Sequence, residues 1–196
     1  MNVLQWNITS LKTNFCDLKL LLKDENPACV CLQETRHGDQ QLNPPSGYRI
    51  LLSPKKRDDG HERGTALLIN KNTNFKKLQL NTNLQAVAAK VWLNKWYTVC
   101  SLYLPHINVS EAEIVNLIEQ LPKPFLLLGD MNARHSLWGE PIDNEKGKLF
   151  ERLLSHQDIS LLNSDNPTHF QVQTGTYTTI DLSICSDDCL LDFTHV

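Results

Sequence analysis

No stretch of this chain is long and apolar enough to cross a bilayer. The most apolar run, Phe125-Leu126-Leu127-Leu128, has the length of one buried strand. The opening residues, Met1-Asn2-Val3-Leu4-Gln5-Trp6-Asn7, lack a basic region, a long apolar segment and a cleavage site, so neither a secretory leader nor a membrane partner is expected. No Cys-x-x-Cys pair occurs among Cys16, Cys29, Cys31, Cys100, Cys185 and Cys189, which argues against zinc. Cys29, Cys31, Cys100 and Cys185 lie in apolar runs and read as reduced, buried thiols of an intracellular protein. There is no internal repeat and no low-complexity segment. A composition that is 41% hydrophobic and 21% charged excludes wholesale disorder. An excess of one charge is also missing: 19 Lys+Arg against 22 Asp+Glu leave −3, so a simple polybasic arm cannot be the basis of function.

What is present is enough chain for one domain, 196 residues. Its charge is unevenly spread. Residues 1–100 hold 14 Lys+Arg and 8 Asp+Glu, and residues 101–196 hold 5 and 14. A positive half could meet a polyanion and an acidic half could hold a metal, or the charge is merely unevenly solvated. Strands are expected at Val3–Ile8, Ala28–Leu32, Tyr48–Leu52, Thr65–Ile69, Phe125–Leu128, Ile159–Leu162 and Thr179–Cys185. Gln85–Leu93 and Trp96–Leu104 read as a hairpin across Asn94-Lys95. Helices are expected at Phe15–Lys23, at Glu111–Leu121 behind a Ser110/Glu113 capping box, and at Gly147–Leu154. Alternating strands and helices with a hairpin predict an α/β domain on mixed sheets.

Polar clusters fall at the ends of these strands: Trp6-Asn7, Gln33-Glu34-Thr35, Tyr103-Leu104-Pro105 and Gly129-Asp130-Met131-Asn132. A fifth, Thr179-Ile180-Asp181-Leu182, sets a carboxylate between apolar neighbours, where it needs a partner. Each has an ordinary structural reading: a turn, a solvated loop, a half-buried aromatic. Carboxylates and carboxamides without a Cys/His cluster suit a hard cation such as Mg²⁺.

The order Trp-Asn, Gln-Glu-Thr, Tyr-x-Pro, Gly-Asp-x-Asn, Ile-Asp resembles the endonuclease/exonuclease/phosphatase family. Within that family the chain is most similar to the apurinic-endonuclease-like domain of non-long-terminal-repeat retrotransposons of the I-factor and jockey type. The block from Leu127 to Gly139, LLGDMNARHSLWG, carries this, with Asn166-Pro167-Thr168-His169-Phe170, Thr174-Gly175-Thr176 and Cys185-Ser186. The resemblance implies a four-layer α/β sandwich with two facing mixed β-sheets (DNase I-like) and hydrolysis of a phosphodiester with Mg²⁺, or Mn²⁺. Position by position, it implies that Glu34 is the principal metal ligand and Asn7 the polar residue beside it that helps hold metal and phosphate. It makes Asp130 the group that orients or deprotonates water, Asn132 and Tyr103 contacts to the phosphate, Asp181 the carboxylate that orients a catalytic His, and Thr168 a neighbour of DNA.

The family's closing Ser-Asp-His block has no match. His37, His61, His106 and His156 read as solvated, and His195 follows on what looks like a further strand. The chain is therefore read as a single domain, residues 1–196, that stops before its last strand or strands, with poor metal binding and slow or absent cutting expected. The expected function is that of a DNA-nicking endonuclease, nuclear when acting on DNA, whose partners are DNA and a downstream reverse transcriptase in the parent polypeptide. Two alternatives stay open: an inactive copy serving as a DNA-binding or interaction module, and an abasic-site endonuclease or other phosphoesterase of the family. Lys55-Lys56-Arg57 with Arg63, and Lys76-Lys77, could contact phosphates or simply be solvated.

Overall fold

Apolar residues from alternating segments sort into three buried clusters, and these clusters define the layers. They are seen in a computed structural model that describes residues 2–37, 43–53, 64–105, 108–164, 166–171 and 175–193. In chain order the elements are β1 (Val3–Asn7), α1 (Phe15–Glu25), β2 (Cys29–Gln33), β3 (Tyr48–Leu52), β4 (Ala66–Asn70) and β5 (Phe75–Leu78). A long hairpin follows, β6 (Gln85–Trp92) and β7 (Trp96–Tyr103), then α2 (Glu111–Glu119), β8 (Phe125–Asp130) and α3 (Glu145–His156). The described chain closes with β9 (Ile159–Leu161), β10 (His169–Gln171), β11 (Thr176–Thr178) and β12 (Asp181–Ser186).

One sheet has the order β1-β2-β4-β3 and the other β5-β6-β7-β8-β12-β9, with β10-β11 as a separate hairpin. β1 and β2 are parallel, as are β7 and β8, and the remaining pairs are antiparallel. On the outside of the first sheet, Leu18 and Leu22 of α1 pack with Ile8, Leu32 and Leu68. Between the sheets, Cys29, Cys31, Leu67 and Ile69 meet Val87, Ala89, Val99 and Leu126. On the far side, Ile114 and Leu117 of α2 and Phe150 and Leu153 of α3 cover Ala88, Leu102, Leu127 and Ile184. The result is helix, sheet, sheet, helices: the four-layer sandwich that the family resemblance implied. Being covered on both faces explains why β2 and β8 read as unbroken apolar runs rather than alternating ones.

The helix ends follow local chemistry. Ser110 and Glu113 form the reciprocal capping box of α2. Asn144 caps α3 by accepting from Gly147 N, and the helix begins at Glu145, two residues ahead of the expected start. Asn26 ends α1 in the left-handed conformation, its N–H bonded to Leu22 O.

Three strands were not foreseen. β5 is a four-residue edge strand with two exposed lysines, and β10 and β11 have three residues each, too short for a periodic signal. After β12 the described chain turns into a 3-10 helix, Asp187–Asp192, and the further strand expected at His195 lies outside the described residues. Ser186 Oγ turns back to Asp188 Oδ1 at 2.5 Å and Cys189 drops into the core, which coils the backbone rather than extending it. All six cysteines are free, five of them buried and Cys16 exposed.

Candidate active site

Strand direction brings the polar clusters together. β1, β2, β7 and β8 all end at the same edge of the sandwich, and antiparallel β12 begins there. Register sets Asn7 beside Gln33, Tyr103 beside Asp130, and Asp130 beside Asp181. A parallel sheet collects side chains at its C-terminal edge in this way, and here two sheets face one another.

Four residues are joined directly. Asn7 Nδ2 donates to Asp130 Oδ2 at 2.7 Å and to Glu34 Oε1 at 3.2 Å. The Tyr103 hydroxyl donates to the same Glu34 Oε1 at 2.9 Å, and Arg36 reaches Glu34 Oε2 at 3.3 Å from the solvent side. Asn132 is tied in through its backbone: its N–H bonds Asp130 Oδ1 at 2.9 Å, while its side chain donates to Leu104 O at 3.0 Å. Asp181 stands next to Asp130, but its Oδ1 is held by Gln5 Nε2 at 2.8 Å. Thr168 Oγ1 accepts from Asp181 N at 3.3 Å, so it lies against Asp181 and not against the quartet.

The electrostatics follow from burying carboxylates together. Burial, then the neighbouring Asp181 charge, pushes Asp130 up to about 7, against hydrogen bonds from Asn132 and Asn7 that pull it down. Burial also raises Asp181, opposed by Thr168, Gln5 and the nearby His169. Backbone strain collects at the same edge: Glu34, Arg36 and Asn132 sit at φ of 50°, 45° and 49°.

Glu34 and Asp130 offer hard oxygens, which suits a small divalent cation completed by substrate phosphate and water. Among the described residues no group of three or more His, Cys, Asp or Glu forms a closed cage. Asn7 presents its N–H to the carboxylates, and its Oδ1 accepts from Thr9 N at 3.1 Å. To ligate through oxygen, its amide must turn over.

Gln5, Glu140, Asn144 and Lys146 escaped the sequence reading, and Gln33 entered it only as a polar residue at a strand end. Gln33, fully buried, links Gln5 to the other sheet: Gln5 Nε2 donates to Gln33 Oε1 at 2.7 Å and Gln33 Nε2 to Ser101 Oγ at 2.9 Å. Val3, Gln5 and Asn7 share one face of β1, so two-residue alternation was the available signal for Gln5. Asn144 clamps the segment after β8, accepting from Arg134 N at 3.0 Å and donating to Asn132 O at 2.9 Å. Buried Glu140 accepts from Thr179 N at 2.5 Å, tying that segment to the approach to β12, with Arg134 Nη1 3.4 Å from its other oxygen. Lys146 of α3 donates to Leu104 O at 3.0 Å and to Pro105 O.

Some expectations change. His37 is not solvated: it is 6% exposed, its Nδ1 2.6 Å from Thr35 Oγ1. The polar context of Gln33–Arg36 hid the fact that Thr35 is fully buried and draws the ring inward. Lys76 and Lys77 lie on edge strand β5, across from Lys90 and Ala89, toward the start of β7 and away from its Tyr103 end. Lys55, Lys56, Arg57, Arg63, His61, His106, Thr174 and His195 lie outside the described residues.

Two facing mixed sheets with carboxylates gathered at one edge define a DNase I-like, AP endonuclease fold. The structure superposes with a TM-score of 0.77 on the endonuclease domain of TRAS1, a telomere-specific non-LTR retrotransposon, at 23% identity over 96% of this chain and 85% of that one. An AP endonuclease from Archaeoglobus fulgidus gives 0.72 at 15% identity, covering 96% and 87%. The chain belongs to the endonuclease-reverse transcriptase family, whose pattern residues 97–195 match. It is 26% identical over 174 residues to the RNA-directed DNA polymerase from mobile element jockey of Drosophila melanogaster, covering 84% of this chain and 18% of that protein. It is 21% identical over 175 residues to the probable RNA-directed DNA polymerase from transposon X-element, also of Drosophila melanogaster, covering 87% and 19%. The chain thus spans less than a fifth of the length of these relatives.

Proposed function

We propose that this chain is the DNA-nicking endonuclease domain of a non-long-terminal-repeat retrotransposon, hydrolysing a phosphodiester with Mg²⁺ or Mn²⁺. On this reading residues 1–196 form one domain of a longer polypeptide, the work is done in the nucleus, and a downstream reverse transcriptase primes on the cut strand. The observation that carries it is the quartet of Asn7, Glu34, Tyr103 and Asp130, drawn from both sheets and joined at 2.7–3.2 Å. The family and its transposon relatives support the setting.

Each residue has a task that its position suits. Glu34, with Asn7 beside it once its amide has turned, would hold the cation. That cation would polarise the phosphoryl group and offset charge on the departing oxygen. Asp130, whose raised pKa makes it a base near neutrality, accepts the proton of the attacking water. The water oxygen bonds to phosphorus as the phosphorus–oxygen bond on the opposite side breaks, and the leaving sugar oxygen is protonated from solvent. Tyr103 and Asn132 supply donors to the non-bridging oxygens, where negative charge grows. Asp181, its Oδ1 held by Gln5, stands behind Asp130.

Supercoiled-plasmid nicking with Mg²⁺ or with EDTA tests this. Nicking that is slow, needs the cation and is lost in Glu34→Ala and Asp130→Ala is expected. Cutting unaffected by either substitution would sink the site assignment. Intact and abasic duplexes run side by side separate target nicking from abasic-site cleavage. A second reading, a DNA-binding module without activity, draws on the Asp181 carboxylate being held by Gln5 rather than by a histidine. Duplex binding with no nicking would favour it.

A further inference from the structure

Residues 64–110 contain five lysines and no Asp or Glu, in a chain whose net charge is −3. Part of this acid-free segment forms one end of the second sheet. There Trp92 and Trp96 face each other across the β6–β7 hairpin, rings 5.5 Å apart at 75°. They are 41% and 36% exposed. Lys76 stands directly across from Lys90 on the neighbouring strand, and its Nζ lies 5.4 Å from the Trp96 ring centroid. Directly opposed residues of an antiparallel pair share a face, and opposed like charges destabilise it. Among the described residues no carboxylate pairs with Lys76, Lys77 or Lys90, whereas Lys95 at the hairpin turn is taken by Asp192 at 2.9 Å.

Lysines on an edge strand discourage pairing with another sheet, which accounts for Lys76 and Lys77. That role does not account for Lys90 on the second strand or for two indoles in water. A ligand with negative charge and flat apolar faces satisfies all of them at once. We propose that Trp92, Trp96, Lys76 and Lys90 form a binding surface for single-stranded nucleic acid, separate from the candidate active site. Phosphates lie against Lys76 and Lys90, and an unpaired base stacks on the open face of Trp92. A duplex keeps its base faces inside its own stack, so the surface selects single strands. Trp96 opens β7 and Tyr103 closes it, which separates this surface from the quartet by about 23 Å along the strand.

The test is fluorescence anisotropy with the whole chain in EDTA, using labelled oligo(dT) and oligo(U) of about 12 nucleotides and a matched duplex. Salt-sensitive binding of the single strands is expected, and the two oligonucleotides report whether the sugar matters. Lys76→Glu with Lys90→Glu, changed together on the surface, should weaken single-strand binding about tenfold, and Trp92→Ala by a similar factor. Duplex binding and plasmid nicking should be unchanged. Glu34→Ala should leave single-strand binding intact, so loss of nicking and loss of this surface are told apart. Four results would each overturn the proposal: no single-strand binding, binding insensitive to both changes, equal weakening of duplex binding, or full competition by an acidic peptide.

Discussion

Asn7 and Asp130 lie 123 positions apart in the chain and on different sheets, yet Asn7 Nδ2 meets Asp130 Oδ2 at 2.7 Å. This contact closes the sandwich at its polar edge. Asn7 donates to Glu34 as well, so one amide group separates two carboxylates that would otherwise repel. Changing Asn7→Asp replaces the donor by a third negative charge. Without divalent cation the variant should lose about 1–3 kcal/mol, and Mg²⁺ should return a larger share of stability to it than to the parent chain. Thermal melts in EDTA and in Mg²⁺ check this. Equal shifts in both proteins would refute the placement of the cation.

Asp130 should make stability depend on pH. Its folded pKa lies near 7, above that of the unfolded chain, so the protonated form is favoured by folding. The stabilisation is complete below about pH 4 and is lost as pH rises through about 7. Asp130→Asn removes the titration. In EDTA the variant should gain on the parent by on the order of 4 kcal/mol between pH 4 and pH 8, while nicking is abolished. Denaturant unfolding across that range, showing no convergence at acid pH, would contradict it.

Gln5 holds two groups at the candidate site. Replacing it with Met keeps its volume and removes both donated bonds, to Gln33 and to Asp181. Gln33 is fully buried, so its freed Oε1 should cost about 1–3 kcal/mol. Gln5→Met with Asp181→Ala should be non-additive. A double-mutant cycle without coupling would mean that the contact carries nothing.

The segment after β8 depends on α3. Asn144→Ala removes a helix cap and the bonds to Arg134 N and Asn132 O, for an expected loss of about 2 kcal/mol. Gly147→Ala acts at the same place by another route: a Cβ there would lie 1.8 Å from Arg134 O, so the backbone must move. Both should lower nicking at temperatures where the fold persists, because Asn132 is displaced. Circular dichroism alongside plasmid nicking separates that effect from unfolding.

Much of the layer order could be read from linear patterns. The Ser110/Glu113 capping box, the hairpin around Asn94-Lys95, and the unbroken apolar runs of β2 and β8 are local signals, and each element formed within a few residues of its expected bounds. Strands β10 and β11 gave no such signal, since three residues hold less than two periods of alternation. The site residues were legible as types at strand ends: Asn7, Glu34, Tyr103, Asp130, Asn132 and Asp181 all stand at or beside the edge.

What could not be read was who holds whom. His37 looked solvated because its neighbours are polar, yet its ring is buried against Thr35. Gln5, Glu140 and Asn144 looked like ordinary polar residues. The sequence by itself determined the elements and the chemical types at their ends, because helix caps, turns and periodicity act over a few residues. Only the tertiary structure decided that Gln5 meets Asp181 across 176 positions and that Asn7 bridges two carboxylates, because those contacts exist only once two sheets pack in a particular register.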